Sequence, residues 1–241
     1  MNSKKTKIGI IIPDRNDREY FLMNLVRMLE SQIIEDRFEL LDDNIRIFNF
    51  EPTDKECDIT KRYRIGYESF KDSDVDCILL MENDDYYSPH YINTMVSEWI
   101  NHGRPEIFGT NYTYYYHIGL LQYEKFIHMK RASAMNTLIK PNLDIEWPID
   151  KEPYTDIHLW KQLKGVTFTP SNIISIGIKH NVGLTGGQYH STKLERYKFD
   201  DSEMQFLESN IDPESFNFYK KINLKLNYGI RNFQTGESRI N

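Results

Sequence analysis

The stretch Cys77-Ile-Leu-Leu-Met-Glu-Asn-Asp-Asp-Tyr-Tyr-Ser-Pro89 sets an apolar run, Cys77 to Met81, directly against three carboxylates, Glu82, Asp84 and Asp85. The run has the length of a buried strand. Carboxylates this close repel and raise one another's pKa, so a strand that ends in them calls for something to neutralise them. A divalent cation does this, and hard oxygen ligands suit Mg²⁺ or Mn²⁺. The acids would then lie at the carboxyl end of a strand, where open α/β sheets bind their ligands. The plainer reading is a solvated acidic turn before a helix.

Working outward, the pattern alternates between strand and helix. Ile8–Ile12 reads as a buried strand closed by Pro13. A helix capped by Asn16 or Asp17 follows, with Leu22, Leu25, Val26, Leu29 and Ile33 at helical spacing. Ile45–Phe50 alternates as a second strand, and Ile59–Phe70 reads as a helix. After the acids, Ser88 is placed to cap a helix with Pro89 at its first position, ending near Gly103. This β-α-β-α-β-α order predicts a mostly parallel sheet covered by helices. The second half is less regular. Glu106–Tyr116 and Gln122–Lys130 read as strand-like segments, Tyr154–Leu163 as a helix stopped by Gly165, and Ile173–Ile178 as a strand. Asp200–Ser209 and Pro213–Lys221 read as terminal helices, the latter capped by Asp212.

The 241 residues, 39% of them hydrophobic, suffice for one α/β domain or one domain with a small extension. The expected organisation is a single domain, with one half over about 7–103, a second over about 104–200 and an extension over about 201–241. Sixteen Tyr and 13 Phe argue against disorder. A net charge of −6 gives no support for a surface that coats nucleic acid, although the tail from Lys220 is locally basic. Cys57 and Cys77 make neither a disulfide framework nor a metal-ligand spacing. The first apolar stretch is too short for a signal segment or a membrane span, so the expected location is cytoplasmic.

Four segments stand in a set order: Lys7-Ile-Gly-Ile-Ile-Ile-Pro-Asp-Arg-Asn16, Ile59-Thr-Lys-Arg-Tyr-Arg-Ile-Gly-Tyr-Glu68, Met81-Glu-Asn-Asp-Asp-Tyr-Tyr-Ser-Pro89 and Asp156-Ile-His-Leu-Trp160. In that order they resemble the family 2 glycosyltransferases with the GT-A nucleotide-sugar fold. They look like that family's first strand and Pro-Thr-Tyr-Asn turn, its Ala-Arg-Asn-x-Gly helix, its Leu-Asp-x-Asp-Asp segment and its late Glu-Asp-x-Asp-Leu-Trp helix. The sequence departs from the pattern at Asp14 and Arg15 in the turn, at Glu82 as the first acid, and at Thr155 and His158 in the late helix.

The resemblance implies a metal-dependent, inverting hexosyltransferase that uses a nucleotide-diphosphate sugar, with UDP favoured. Its fold would be α/β, a mostly parallel GT-A sheet flanked by helices, with a less regular C-terminal acceptor part. Asp84 is then the best ligand for Mn²⁺ or Mg²⁺, with Glu82 and His190 as further ligands. Pro13, Asp14, Arg15, Glu51, Arg62, Arg64, Glu82, Asn83, Asp85 and His180 would contact the donor. Asp156 takes the position of the general base, and capping its own helix is the plainer role. Lys179–His190, with glycines between two histidines, suits a loop closing over phosphates. The acceptor hydroxyl could belong to a glycan, a lipid-linked sugar or a hydroxylated DNA base, with Lys125, Lys130 and Arg131 favouring an anionic acceptor. A nucleotidyltransferase is the alternative enzyme, disfavoured because such enzymes usually carry a Gly-rich, basic loop after the first strand, where this chain has Pro13-Asp-Arg-Asn. A non-catalytic nucleotide-sugar-binding module is the other.

Overall fold

Ile8, Ile10, Ile11 and Ile12 are all fully buried. Successive strand residues face opposite sides, so both faces of their strand, β1 (Thr6–Asp14), are covered. Each such side chain contributes about 1.5–3 kcal/mol by leaving water. The computed structural model describes residues 4–15, 18–49, 57–180 and 197–229. In it β1 is flanked by β2 (Phe38–Asn49) and β3 (Cys77–Leu80), both parallel to it. The sheet continues through β8 (Thr137–Ile139), antiparallel to β3, then β5 (Ile107–Thr110) and β9 (Gly165–Phe168). The order is β2-β1-β3-β8-β5-β9. Only β8 runs against the rest. β2 forms one edge, and its exposed Asp42 and Asp43 discourage pairing with another chain.

Helices cover both faces. On one side α2 (Ile59–Ser69) and α4 (Thr155–Gln162) pack Tyr63, Tyr67, Leu159 and Trp160 onto Ile11, Ile78, Leu80, Ile107 and Ile139. On the other, α1 (Glu19–Glu30) buries Phe21, Leu25, Met28 and Leu29, and α3 (Tyr91–Asn101) buries Ile92, Met95, Val96 and Trp99. Gln32 joins these two helices, donating to the Ser88 carbonyl at 2.8 Å and accepting from the Ile92 N–H at 3.1 Å. The thiol of Cys77 lies in the core, and burial pushes its pKa far up.

Several local expectations change. Ile33 lies beyond α1 and is exposed, and Val26 sits at the rim, because the buried stripe runs through Phe21 and Met28 instead. Ser88 and Pro89 precede α3 without capping it. Their segment follows a two-residue strand, β4 (Tyr86–Tyr87), which pairs antiparallel with β10 (Ser175–Lys179). Gly165 does not end a helix with a left-handed turn. It opens β9, where a side chain would strike the Trp160 ring.

By internal packing the chain forms two units, residues 1–114 with 125–177, and residues 115–124 with 178–241. The chain passes between them along β6 (Tyr112–His117), β7 (Gln122–Ile127) and β10. Within the second unit, β11 (Phe199–Asp200) pairs antiparallel with Gln122 and Tyr123 of β7. The Tyr123 ring stacks on Phe206 at 3.8 Å, in α5 (Gln205–Asn210). Asp212 accepts the Ser215 N–H at 2.9 Å, capping α6 (Pro213–Gly229), a longer helix than the sequence pattern predicts. Among the described residues, no helix is long and apolar enough to cross a membrane.

Candidate functional site

β1 and β3 are parallel neighbours, so their carboxyl ends lie side by side. That places Asp14, the last residue of β1, next to the acidic segment that follows β3. Asp14 is buried and accepts a hydrogen bond from the Asn83 side-chain amide. Burial raises its pKa, and the bonds from Asn83 and the Arg15 backbone, with the charges of Arg18 and Arg62, pull it partly back. Pro13 pairs with Phe48 of β2, and Arg15 follows β1 half-buried.

Arg62 is 1% exposed and works as a strut. Its guanidinium donates to the Asp14 carbonyl, to the Phe48 carbonyl at 3.1 Å and to Asp58 at 2.6 Å. One side chain on α2 thus fastens the ends of β1 and β2. Arg64, two residues on, points elsewhere on the helix and pairs with Asp150 at 3.2 Å and Glu68 at 3.3 Å.

Glu82, Asp84 and Asp85 present carboxylate oxygens that all lie within 4.8 Å of one another. Oxygens on opposite sides of a bound Mg²⁺ stand about 4 Å apart, so small side-chain shifts would bring all three onto one ion. The donor set is also right in kind, since it consists of hard, anionic oxygens. Neighbouring groups hold the segment in place. The Glu82 backbone N–H donates to the Tyr87 hydroxyl at 2.7 Å, and the Tyr63 hydroxyl donates to Glu82 Oε1 at 3.4 Å. Arg18, at the head of α1, pairs with Asp84 at 2.5 Å, and both side chains are largely buried.

Asp156 stands in the first turn of α4, where the helix dipole favours a carboxylate. The start of that helix is tied to α2. Thr60 Oγ1 bonds Thr155 Oγ1 and donates to the Glu152 carbonyl at 2.6 Å. Burial raises the Asp156 pKa, while the Arg131 guanidinium paired with it and the Ile157 backbone N–H pull the other way. Tyr63 relates Asp156 to the acids beyond β3. Its phenol is pushed well above 10, first by burial and then by the charges of Glu82, Asp85 and Asp156. The charges of all three carboxylates are therefore felt at one buried hydroxyl, which donates to Glu82 and holds its proton.

His158, on the same helix, stands 3.9 Å from Glu152 and is partly exposed. His180 belongs to the second unit, buried just after β10. Glu51, His190, Asn16 and the glycines of Gly183–Gly187 lie outside the described residues. Four site residues escaped the sequence reading: Arg18, Tyr63, Tyr87 and Arg131 as the partner of Asp156. A weak signal existed for three of them. Arg18 follows Asp14 by four positions, Tyr63 lies between Arg62 and Arg64, and Tyr87 follows Asp85 by two.

No protein-family model and no curated protein sequence matches this chain. Solved structures do. S. aureus TarS 1-349 in complex with UDP-GlcNAc aligns over 92% of this chain and 81% of that one, at 9% identity and a TM-score of 0.50. A197 from STIV aligns over 68% of this chain and 82% of that one, at 16% identity and a TM-score of 0.41. A further S. aureus TarS structure aligns over 73% of this chain at 11% identity and a TM-score of 0.48, and this chain spans 37% of its length. The fold expected from the sequence, a mostly parallel GT-A sheet flanked by helices, is the one this chain shares with the TarS 1-349 complex.

Proposed function

We propose that this chain is an inverting glycosyltransferase that moves a sugar from a nucleotide-diphosphate donor, UDP-linked by preference, to an acceptor hydroxyl. The observation that carries the reading is the cluster of Glu82, Asp84 and Asp85 beyond β3, beside Asp14 at the end of β1, with the charge of Asp156 on α4 felt at the same Tyr63 hydroxyl as those of Glu82 and Asp85. The likeness to a fold captured with UDP-GlcNAc supports the choice of donor. Asp84, Glu82 and Asp85 would hold Mn²⁺ or Mg²⁺, which when bound supplies Lewis-acid stabilisation of the diphosphate leaving group.

The chain's own groups do the rest. Asp14 and Asn83 form a bonded pair beside the acids, suited to read a base or ribose. Arg62 keeps the ends of β1 and β2 fixed while this happens. Asp156 accepts the proton of the acceptor hydroxyl, whose oxygen attacks the anomeric carbon. The bond from that carbon to the diphosphate oxygen breaks, and the nucleoside diphosphate leaves with its electron pair. A carboxyl with a raised pKa is a stronger base than a solvated one, which suits this task. The acceptor's class, glycan, lipid-linked sugar or hydroxylated DNA base, is to be found by screening.

The test is a thermal-shift panel of nucleotide sugars with and without Mn²⁺, on wild type and Asp84→Asn. Stabilisation by one UDP-sugar that needs Mn²⁺ and is lost in Asp84→Asn is the expected result. Stabilisation by nucleoside triphosphates alone would favour a nucleotidyltransferase. Donor binding without transfer to any acceptor would favour a non-catalytic module.

A further inference from the structure

The acidic cluster already has a cation of its own. Arg18 Nη1 lies 2.5 Å from Asp84 Oδ2, in a contact where the two side chains are only 11% and 14% exposed. The same guanidinium also acts on Asp14, whose raised carboxyl pKa it partly offsets. It therefore pairs with the first-choice metal ligand after β3, while its charge is felt at the last residue of β1. A metal ion and a guanidinium cannot both occupy the inner side of one carboxylate at full strength, because like charges at such distances repel. A guanidinium displaced from a carboxylate has a ready second partner in a diphosphate, which it can grip with two parallel hydrogen bonds.

Resting on the metal-dependent reading above, we propose that Arg18 is an exchangeable counter-ion. It neutralises Asp84 while the site holds no metal, yields Asp84 to the incoming ion, and then pairs with the donor's diphosphate. Arg18 thus ties metal loading to donor capture: the ion frees the arginine that the donor needs.

This makes an unusual prediction, because one substitution acts on two ligands in opposite directions. In Arg18→Gln, Mn²⁺ binding measured by calorimetry or by electron paramagnetic resonance becomes roughly five- to tenfold tighter, since a competing charge is gone. UDP binding measured at saturating Mn²⁺ becomes weaker by about tenfold, from the loss of one charge-assisted pair. The metal-free protein melts earlier than wild type, and Mn²⁺ restores its melting temperature. Arg18→Lys keeps the charge but not the fork, so its Mn²⁺ affinity stays within about twofold of wild type while UDP binding still weakens. It serves as the second arm should Arg18→Gln fold poorly.

A purely structural Arg18 would weaken both ligands together in Arg18→Gln, and that result overturns the exchange. So does unchanged Mn²⁺ affinity. Absence of Mn²⁺ binding in wild type and variants alike would bring down the metal reading itself and this inference with it, an outcome distinct from equal binding by all three.

Discussion

Asp156 is held between two influences, burial that raises its pKa and the Arg131 cation that lowers it. Asp156→Asn keeps the shape and removes the base. Transfer should fall by about 10²–10⁴-fold, while the melting shift with Mn²⁺ and UDP remains, because the donor does not need this carboxylate. Retention of full transfer in that variant would remove Asp156 from the chemistry. Arg131→Gln tests the balance. Without the cation the charged carboxylate loses an attraction, so the proton is held more tightly and the pKa rises further. The acid limb of the pH–rate profile should therefore move to higher pH in Arg131→Gln, and a limb that stays or moves lower counts against Asp156 as the titrating base. The same residue shows where sequence reading reaches its limit. Arg131 reads as a surface charge for an anionic acceptor, yet its side chain is spent on Asp156, 25 positions away. No local pattern encodes such a pairing.

At the scale of elements, α2 does most to assemble the site. It supplies Arg62 to the strand ends, Tyr63 to the acids and Thr60 to the start of α4. It can do so because it lies close against β1 at Gly66, where a Cβ would meet Ile11 Cγ2 at 2.5 Å and the Phe48 ring at 3.1 Å. Alanine in a helix interior normally stabilises by about 0.5–1 kcal/mol over glycine. Overpacking a tight core costs about 1–3 kcal/mol. With Ile11 fully buried, the second effect wins. Gly66→Ala should melt earlier and bind UDP more weakly, and a stabilised variant would show that α2 has room to withdraw. This element was legible in the sequence, as were β1, α1, β3, the later part of β2 from Ile45 and the placement of the acids, whereas the earlier part of β2, residues 38–44, was not read as strand. β4 and β8, with two and three residues, carry no period to read. Arg18 and Asp84 are 66 positions apart, so their pairing emerges only once β1 and β3 lie side by side.

For the whole molecule, a ligand that binds only the folded state stabilises by mass action. At about 100 times its dissociation constant this is worth about 2.7 kcal/mol. A chain of this length shifts by about 2–4 °C for each kcal/mol, so a saturating donor with Mn²⁺ should raise the melting temperature by roughly 5–11 °C. A shift confined to experimental scatter at saturation would mean that donor and metal do not bind this chain as proposed. Glu51 and His190 are best tested at this scale too, by asking whether Ala at either position lessens the same shift. The division of the chain has a consequence for its synthesis. Residues 115–124 are an excursion from the first unit into the second, and their strand partner, Phe199–Asp200, comes later in the chain than any residue of the first unit. With elongation at about 5–20 residues per second, Gln122 and Tyr123 emerge from the ribosome and wait seconds for the strand that covers them. Every nascent chain thus passes through an interval in which its first unit can close while a tyrosine-bearing strand edge stands open, and a message cut short before Phe199 would leave that edge exposed for good.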